Sequence, residues 1–260
     1  MIGYNTHRMK TNIAIQLTNI SKKYEIHHEK PTFVEKFAHG KNETFWALKN
    51  INLSIKKGER VGIIGPNGGG KTTLLKIIGG ITTPTTGSIQ TYKRVVSLID
   101  LDAGFHPDLT GIQNIYLNGM LLGMSKRHIK NYLQRIISYA NIGNFIDIPI
   151  HTYSLGMQLR LGFSIALHAN PKIFILDEGL DVGDETFKEQ IRRSSYEIFK
   201  DKTLVVVSHN MYAIADFCNR VLVMEHGTIV ADGGLDIIQR YYPHVASGLR
   251  WHLKNKHTRQ

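Results

Sequence analysis

The chain has 260 residues, a single cysteine (Cys218), 42% hydrophobic and 20% charged residues, and a formal net charge of +11. That length can bury a full core, one thiol excludes an internal disulfide framework, and no run approaches the roughly 20 apolar residues of a membrane span. MIGYNTHRMKTNIAIQL lacks the apolar segment of a secretory signal. The surplus of Lys and Arg favours an anionic partner (nucleotide, nucleic acid or an inner membrane leaflet) without choosing among them.

NIAIQL and ALKNINLSIKKGE read as strands from their alternating and β-branched residues. Between them, EIHHEKPTFVEKFAHGKNETFW (25–46) is polar and His-rich and reads as an insertion rather than core. RVGIIG is a further strand, KTTLLKIIGGI a helix stopped by Gly79 and Gly80, TTPTTGSIQ a turn into a strand, and KRVVSLID a short buried strand. From 105 to about 160 the pattern is helical. GIQNIYLNGMLLGM comes first, then SKRHIKNYLQRIISYANI capped by Ser125. A third helix over 156–169 is capped by Ser154, with Leu155, Leu159, Ile165 and Ala166 on its apolar face. KIFILD is a near-continuous apolar strand, as in a sheet buried on both faces. A helix over 185–198, the strand TLVVVS, a helix from about 211 and the hairpin RVLVMEHGTIVADG, turning at His226–Gly227, follow. Cys218, within IADFCNRV, reads as buried filler. RWHLKNKHTRQ is the densest basic cluster and belongs to a basic tail over 241–260. Strands alternating with helices predict an α/β fold with a mainly parallel sheet, interrupted by an inserted helical subdomain at about 105–160, within one domain spanning 1–260.

Residues 65–72, GPNGGGKT, fit G-x-x-x-x-G-K-[ST] between a strand and a helix, the context this phosphate loop requires. Gly65, Gly68, Gly69 and Gly70 let the backbone wrap a phosphate with its N–H groups inward. Lys71 reaches the β/γ oxygens and Thr72 ligates Mg²⁺, with Asn67 and Thr73 counted among the nucleotide-binding residues. ILDE ends a buried strand with two carboxylates: Asp177 points into the ligand crevice and holds Mg²⁺, and Glu178 is the base that polarises an attacking water. His209, at the end of LVVVS, is placed to hydrogen-bond the γ-phosphate. The helix start at Ser154–Gly156, in YSLGMQLRL (153–161), is a second anion site, with unpaired N–H groups and a positive dipole end.

Phosphate loop, helical insertion, YSLGMQLRL, ILDE and SHN, in that order, resemble the ATP-binding subunit of ABC transporters over residues 11 to 240 or so. The resemblance implies a P-loop NTPase core of ABC type with an antiparallel β-subdomain beside the parallel sheet. It implies that Tyr153-Ser154-Leu155-Gly156-Met157 is the family's signature motif, commonly L-S-G-G-Q. Two subunits then pack head to tail, each signature capping the γ-phosphate of ATP held by the other. Gly183 and Asp184 match the loop that communicates across that dimer. Tyr24 matches the aromatic residue that stacks on adenine, with Trp46 as the runner-up. Asp100 stands where the family usually has a coupling Gln; an acid there still binds metal-bound water. The forms YSLGMQLRL and DEGLDVGD are similar to the branch that exports lipid-linked polysaccharide, namely O-antigen, capsule or teichoic acid, across the bacterial inner membrane. The resemblance then implies ATP and Mg²⁺ as ligands and a polytopic permease as partner. Phe105, His106 and Pro107 line the groove for the permease's coupling helix. Insertion 25–46 lies on the membrane side, where His27, His28, Lys30, Lys36 and His39 meet lipid phosphate or the permease. Some O-antigen subunits add a C-terminal carbohydrate-binding β-domain, for which a chain ending at 260 is expected to be too short. A soluble ABC-type ATPase working on nucleic acid or ribosomes also suits the charge. Such proteins generally carry two such domains or a long coiled coil, so no nucleic-acid partner is expected. A small-molecule P-loop kinase needs no signature helix.

Overall fold

The computed structural model describes residues 12–26, 43–97, 104–177 and 185–256. Among them the strands form two sheets. An antiparallel three-stranded sheet holds β1 (Ile13–Ile26), β2 (Glu43–Lys56) and β4 (Thr86–Thr91), in the order β2-β1-β4. The six-stranded sheet runs β5-β6-β7-β3-β8-β9, from β5 (Val95–Ser97), β6 (Ile173–Asp177), β7 (Thr203–Val207), β3 (Arg60–Ile64), β8 (Arg220–Glu225) and β9 (Thr228–Gly233). All its pairings are parallel except the β8–β9 hairpin. The helices are α1 (Lys71–Ile78), α2 (Gly111–Leu121), α3 (Lys126–Ala140), α4 (Leu155–His168), α5 (Glu185–Phe199), α6 (Met211–Phe217), α7 (Asp236–Tyr241) and α8 (Ala246–Lys256).

The apolar runs of the parallel strands have a direct physical reading. Ile173, Ile175, Val205, Val207, Val61 and Ile63 pack on one face, against α1 and the antiparallel sheet. Their alternates Phe174, Leu176, Leu204, Val206 and Ile64 pack on the other, against α4, α5, α6 and the C-terminal segment. A strand buried on both faces needs apolar side chains at every position, and each large one buried contributes about 1.5–3 kcal/mol. Cys218 is buried filler in this second layer, its Sγ 3.4 Å from where a Cβ on Gly62 would sit.

The helical subdomain has its own core around Ile115, Ile129, Ile136 and Ile150. It does not end at 160. The helix α4 continues to His168, giving Leu161 and Ile165 to the subdomain core and Phe163 and Ala166 to the sheet core, so it is the beam joining the two. Leu155, expected on the apolar face, is instead 64% exposed: it lies on the outer side of the first turn of α4, while Met157 of the same turn packs against the subdomain core. The insertion is shorter than 25–46: Tyr24 pairs with Phe45, Glu25 with Thr44 and Ile26 with Glu43, so the hairpin ladder runs into it from both sides. His27, His28, Lys30, Lys36 and His39 lie outside the described residues. The expected basic tail is also folded over most of its length, since Pro243–Val245 forms a 3-10 turn and Ala246–Lys256 forms α8, with Leu249 fully buried. His252 of α8 pairs with Asp216 of α6 at 2.8 Å.

Where α3 meets the end of α4, His168 sits against Tyr132 and Tyr139, its Nδ1 2.7 Å from the Ser164 carbonyl oxygen. Burial lowers its pKa below the ordinary 6.5, and the charge of Arg135 and neighbouring His128 push it the same way. The unfolded chain therefore takes up this proton at a higher pH than the native one. Stability from this group is present above about pH 6.5 and is lost as pH falls toward the native pKa. Urea unfolding between pH 7.5 and 5.5 should show that loss in the parent and a shallower one in His168→Gln.

Candidate functional site

β3, β7 and β6 are neighbours, and their register sets Ile63 beside Val207 and Val207 beside Asp177. The carboxyl ends of all three strands thus open at one level, the crevice where open α/β sheets bind ligands. From β3 the chain enters the loop 65–70 and then α1. From β7 it passes Ser208 and His209 into α6, whose cap Asn210 accepts from the N–H groups of Tyr212 and Ala213.

The loop's glycines are required by its neighbours as well as by any ligand. A Cβ on Gly65, where φ is +140°, would stand 2.1 Å from the Met224 carbonyl oxygen of β8. On Gly70, at φ +97°, it would stand 2.5 Å from the Ala47 carbonyl oxygen of β2. The hairpin turn at His226–Gly227 braces the loop from behind: the Gly227 N–H donates to the Gly69 carbonyl at 3.1 Å, and the Gly227 carbonyl accepts from Lys49 N–H at 2.8 Å. Both turn residues have positive φ, 49° and 79°, as a two-residue hairpin of this kind needs. The base of the hairpin is held by Arg220, which donates to both Asp232 carboxylate oxygens and to Glu59. Its hydrogen bonds to Asp232 hold the guanidinium's pKa above even the usual arginine range.

Lys71 is buried, its Nζ 2.8 Å from the carbonyl oxygens of both Gly65 and Pro66. No side chain caps α1, so the first-turn N–H groups have no side-chain acceptor there. Above them lies a cavity of about 450 Å³, walled by loop and helix residues Asn67, Gly68, Gly69, Gly70, Lys71, Thr72 and Thr73, by Asp177, Val207 and His209, and by Phe45 and Ala47 of β2. The predicted phosphate loop, Asp177 and His209 are therefore brought together. Tyr24 is not in the lining. It pairs with Phe45 and is 38% exposed, with the Lys22 ammonium 5.0 Å over its ring. Trp46 is also absent, and lies against Lys23. The aromatic side chain at the cavity is Phe45, which sequence reading passed over inside the apparent insertion. Asp100, Glu178, Gly183 and Asp184 lie outside the described residues.

Ser154 and Gly156 do not line the cavity. Ser154 caps α4 as expected, accepting from the Met157 N–H at 3.2 Å, and stays exposed together with Leu155. Gly156 has open space around its Cα: a Cβ there would meet only the Ser154 Oγ, at 3.9 Å. The loop Gly104–Thr110 is fixed by two asparagines that sequence reading missed, although their spacing of four puts them on one face of α2. Asn114, fully buried, accepts from His106 N–H and donates to the carbonyls of His106, Leu109 and Thr110. Asn118 donates to the Gly104 carbonyl. Phe105 packs on the helical core, while His106 and Pro107 remain exposed.

A glycine-lined loop, a buried lysine and two polar strand-end residues at the edge of a mainly parallel sheet define a P-loop nucleotide-binding protein of α/β class. The more particular assignment follows from comparison with known proteins. Residues 48–181 match the family model described as ABC transporter. The chain is 38% identical over 239 residues to the O-antigen export system ATP-binding protein RfbB of Klebsiella pneumoniae, covering 88% of this chain and 97% of that one. It is 41% identical over 233 residues to the teichoic acids export ATP-binding protein TagH of Lactococcus lactis, covering 86% of this chain but only 50% of that protein. Among solved structures, a dimeric ATP-binding cassette in a post-hydrolysis state with ADP and Pi superposes with a TM-score of 0.70 at 25% identity, covering 85% of this chain and 98% of that one. The chain belongs to the ABC transporter family, and the resemblance read from its motifs, branch included, is borne out.

Proposed function

We propose that the chain is the ATP-binding and hydrolysing subunit of an exporter that moves lipid-linked polysaccharide, O-antigen of lipopolysaccharide in the first instance, across the bacterial inner membrane. The observation that carries this reading is the cavity shared by the phosphate loop, Asp177 and His209, with the signature turn standing exposed on a separate subdomain. ATP fills the cavity with its phosphates on Gly65–Thr73 and the γ-phosphate toward His209. The adenine stacks at the β1–β2 hairpin, where Tyr24 shares its rung with the lining residue Phe45. Glu178 takes the proton of the attacking water.

The Thr72 hydroxyl and the Asp177 carboxylate, both at the cavity, are hard oxygen donors of the kind Mg²⁺ prefers, and Asp100 is assigned as a third. Mg²⁺ characteristically takes one or two carboxylates and completes its shell with phosphate oxygens and water, so this sparse donor set fits it. Bound there, the ion neutralises charge on the phosphate oxygens.

Two copies packing head to tail would set Ser154 and Gly156 of each over the γ-phosphate of the other, with Asp184 at the seam, which accounts for an anion site so poorly placed for its own subunit. The two RfbB- and TagH-type relatives are named as export ATP-binding proteins, and the solved cassette is dimeric. Among the described residues no helix is long and apolar enough to cross a membrane. In this reading the membrane path belongs to a separate permease, two copies of it, docked at Phe105, His106 and Pro107, with this subunit peripheral on the cytoplasmic face, as the export ATP-binding relatives suggest. Affinity capture of the chain from native membranes in mild detergent, read by mass spectrometry, should recover a protein of several spans and a polyprenyl-linked glycan. Ribosomal proteins or nucleic acid in their place would reject the exporter.

A further inference from the structure

Tyr153 immediately precedes the Ser154 cap, and its ring is only 6% exposed within the helical core. Its hydroxyl donates to the Phe145 carbonyl at 2.5 Å and lies close against the Gly111 backbone. Gly111 is the first residue of α2. The approach depends on glycine: a Cβ there would stand 2.3 Å from the tyrosine oxygen and 2.8 Å from the Ile146 carbonyl oxygen. Burial, helped by the Asp147 charge, pushes the phenol up to about 12, so it stays protonated and keeps donating at physiological pH. The residue before Gly111 is Thr110, which ends the exposed loop 104–110 and caps α2 through a capping box.

One hydroxyl therefore sits where three pieces meet, bonded to the 3-10 turn Gly143–Asp147 and packed on the start of α2, directly before α4. We propose that Tyr153 is a positioning residue for ATP hydrolysis, its hydroxyl fixing the Ser154–Gly156 turn against the α2 start in the orientation that completes the partner subunit's nucleotide site. This rests on the cross-subunit reading of that turn. Tyr153 does not line the cavity. It acts through the turn and does not contact the nucleotide.

Tyr153→Phe keeps the ring and removes only the hydroxyl. In the full chain, kcat for ATP should fall about tenfold with KM and nucleotide affinity unchanged, the pattern of an interaction expressed in the transition state alone. A parental kcat would overturn the proposal. So would an equal loss of ATP affinity, or a melting temperature lower by more than about 10 °C, which would report general loosening of the subdomain. Gly156→Asp serves as the control. If that variant hydrolyses ATP normally, the cross-subunit reading itself has failed. If it is inactive while Tyr153→Phe turns over normally, only the role of Tyr153 has.

Discussion

With Glu178 replaced by Gln, the chain should bind ATP as the parent does, hydrolyse it about 10²–10⁴-fold more slowly, and elute as a stable dimer when ATP is present. Gln preserves size and hydrogen-bonding reach but cannot accept a proton, so the loss isolates proton transfer from binding. The dimer follows from the same logic, because the ATP that holds two subunits together is no longer consumed. Asp177→Asn is the informative comparison. Asp177 ends β6 in register with Val207 and lines the cavity. As the proposed Mg²⁺ ligand it should lose nucleotide affinity along with turnover. Single-turnover ATPase, nucleotide titration and size-exclusion chromatography separate the two phenotypes. Ordinary turnover in Glu178→Gln would remove that residue from the base role.

The elements were legible because their causes are local. The unbroken apolar runs KIFILD and TLVVVS are what strands buried on both faces require, and they are found at the centre of the sheet. Ser125 and Ser154 cap their helices with the hydrogen bonds their positions imply. The phosphate loop was legible for a related reason: its glycines answer to a tight backbone, here the carbonyls of Met224 and Ala47, which any chain folding this way must avoid.

What escaped depended on contacts between distant segments. Residues 43–46 read as part of a polar insertion, because nothing within the segment reveals that β1 continues to Ile26 and pairs with it, carrying Phe45 to the cavity. The basic character of 241–260 concealed a helix whose apolar face is narrow, Val245, Leu249 and Leu253 recurring every four residues among polar and basic neighbours. Nothing in GIQNIYLNGMLLGM sets Asn114 apart from any polar helix residue, and only the folded loop supplies the three carbonyls and one N–H that let it be fully buried. Leu155 erred in the opposite sense, since apolar spacing alone cannot reveal which side of the first turn of α4 faces the core, a side that Met157 takes.

Gly156→Asp should abolish ATP hydrolysis while leaving the subunit folded, its own ATP affinity unchanged and its stability equal or slightly higher. The opposing signs come from one substitution acting in two settings. Within the subunit a Cβ at Gly156 meets only the Ser154 Oγ at 3.9 Å, so the side chain fits. It lies in the first turn of α4, where no acidic residue now stands. A carboxylate there interacts favourably with the helix dipole by about 0.3–1 kcal/mol, and replacing glycine inside a helix adds further support. Across the proposed dimer the same carboxylate would face the γ-phosphate held by the other subunit. Like charges a few ångströms apart in a water-poor seam cost several kcal/mol, enough to stop the two subunits from closing. Thermal melting, nucleotide titration and steady-state ATPase on one preparation test the whole pattern. A variant that is stable, binds ATP and still hydrolyses it at the parental rate would mean that the α4 turn never meets a phosphate, and the second anion site would then be only the beginning of a helix.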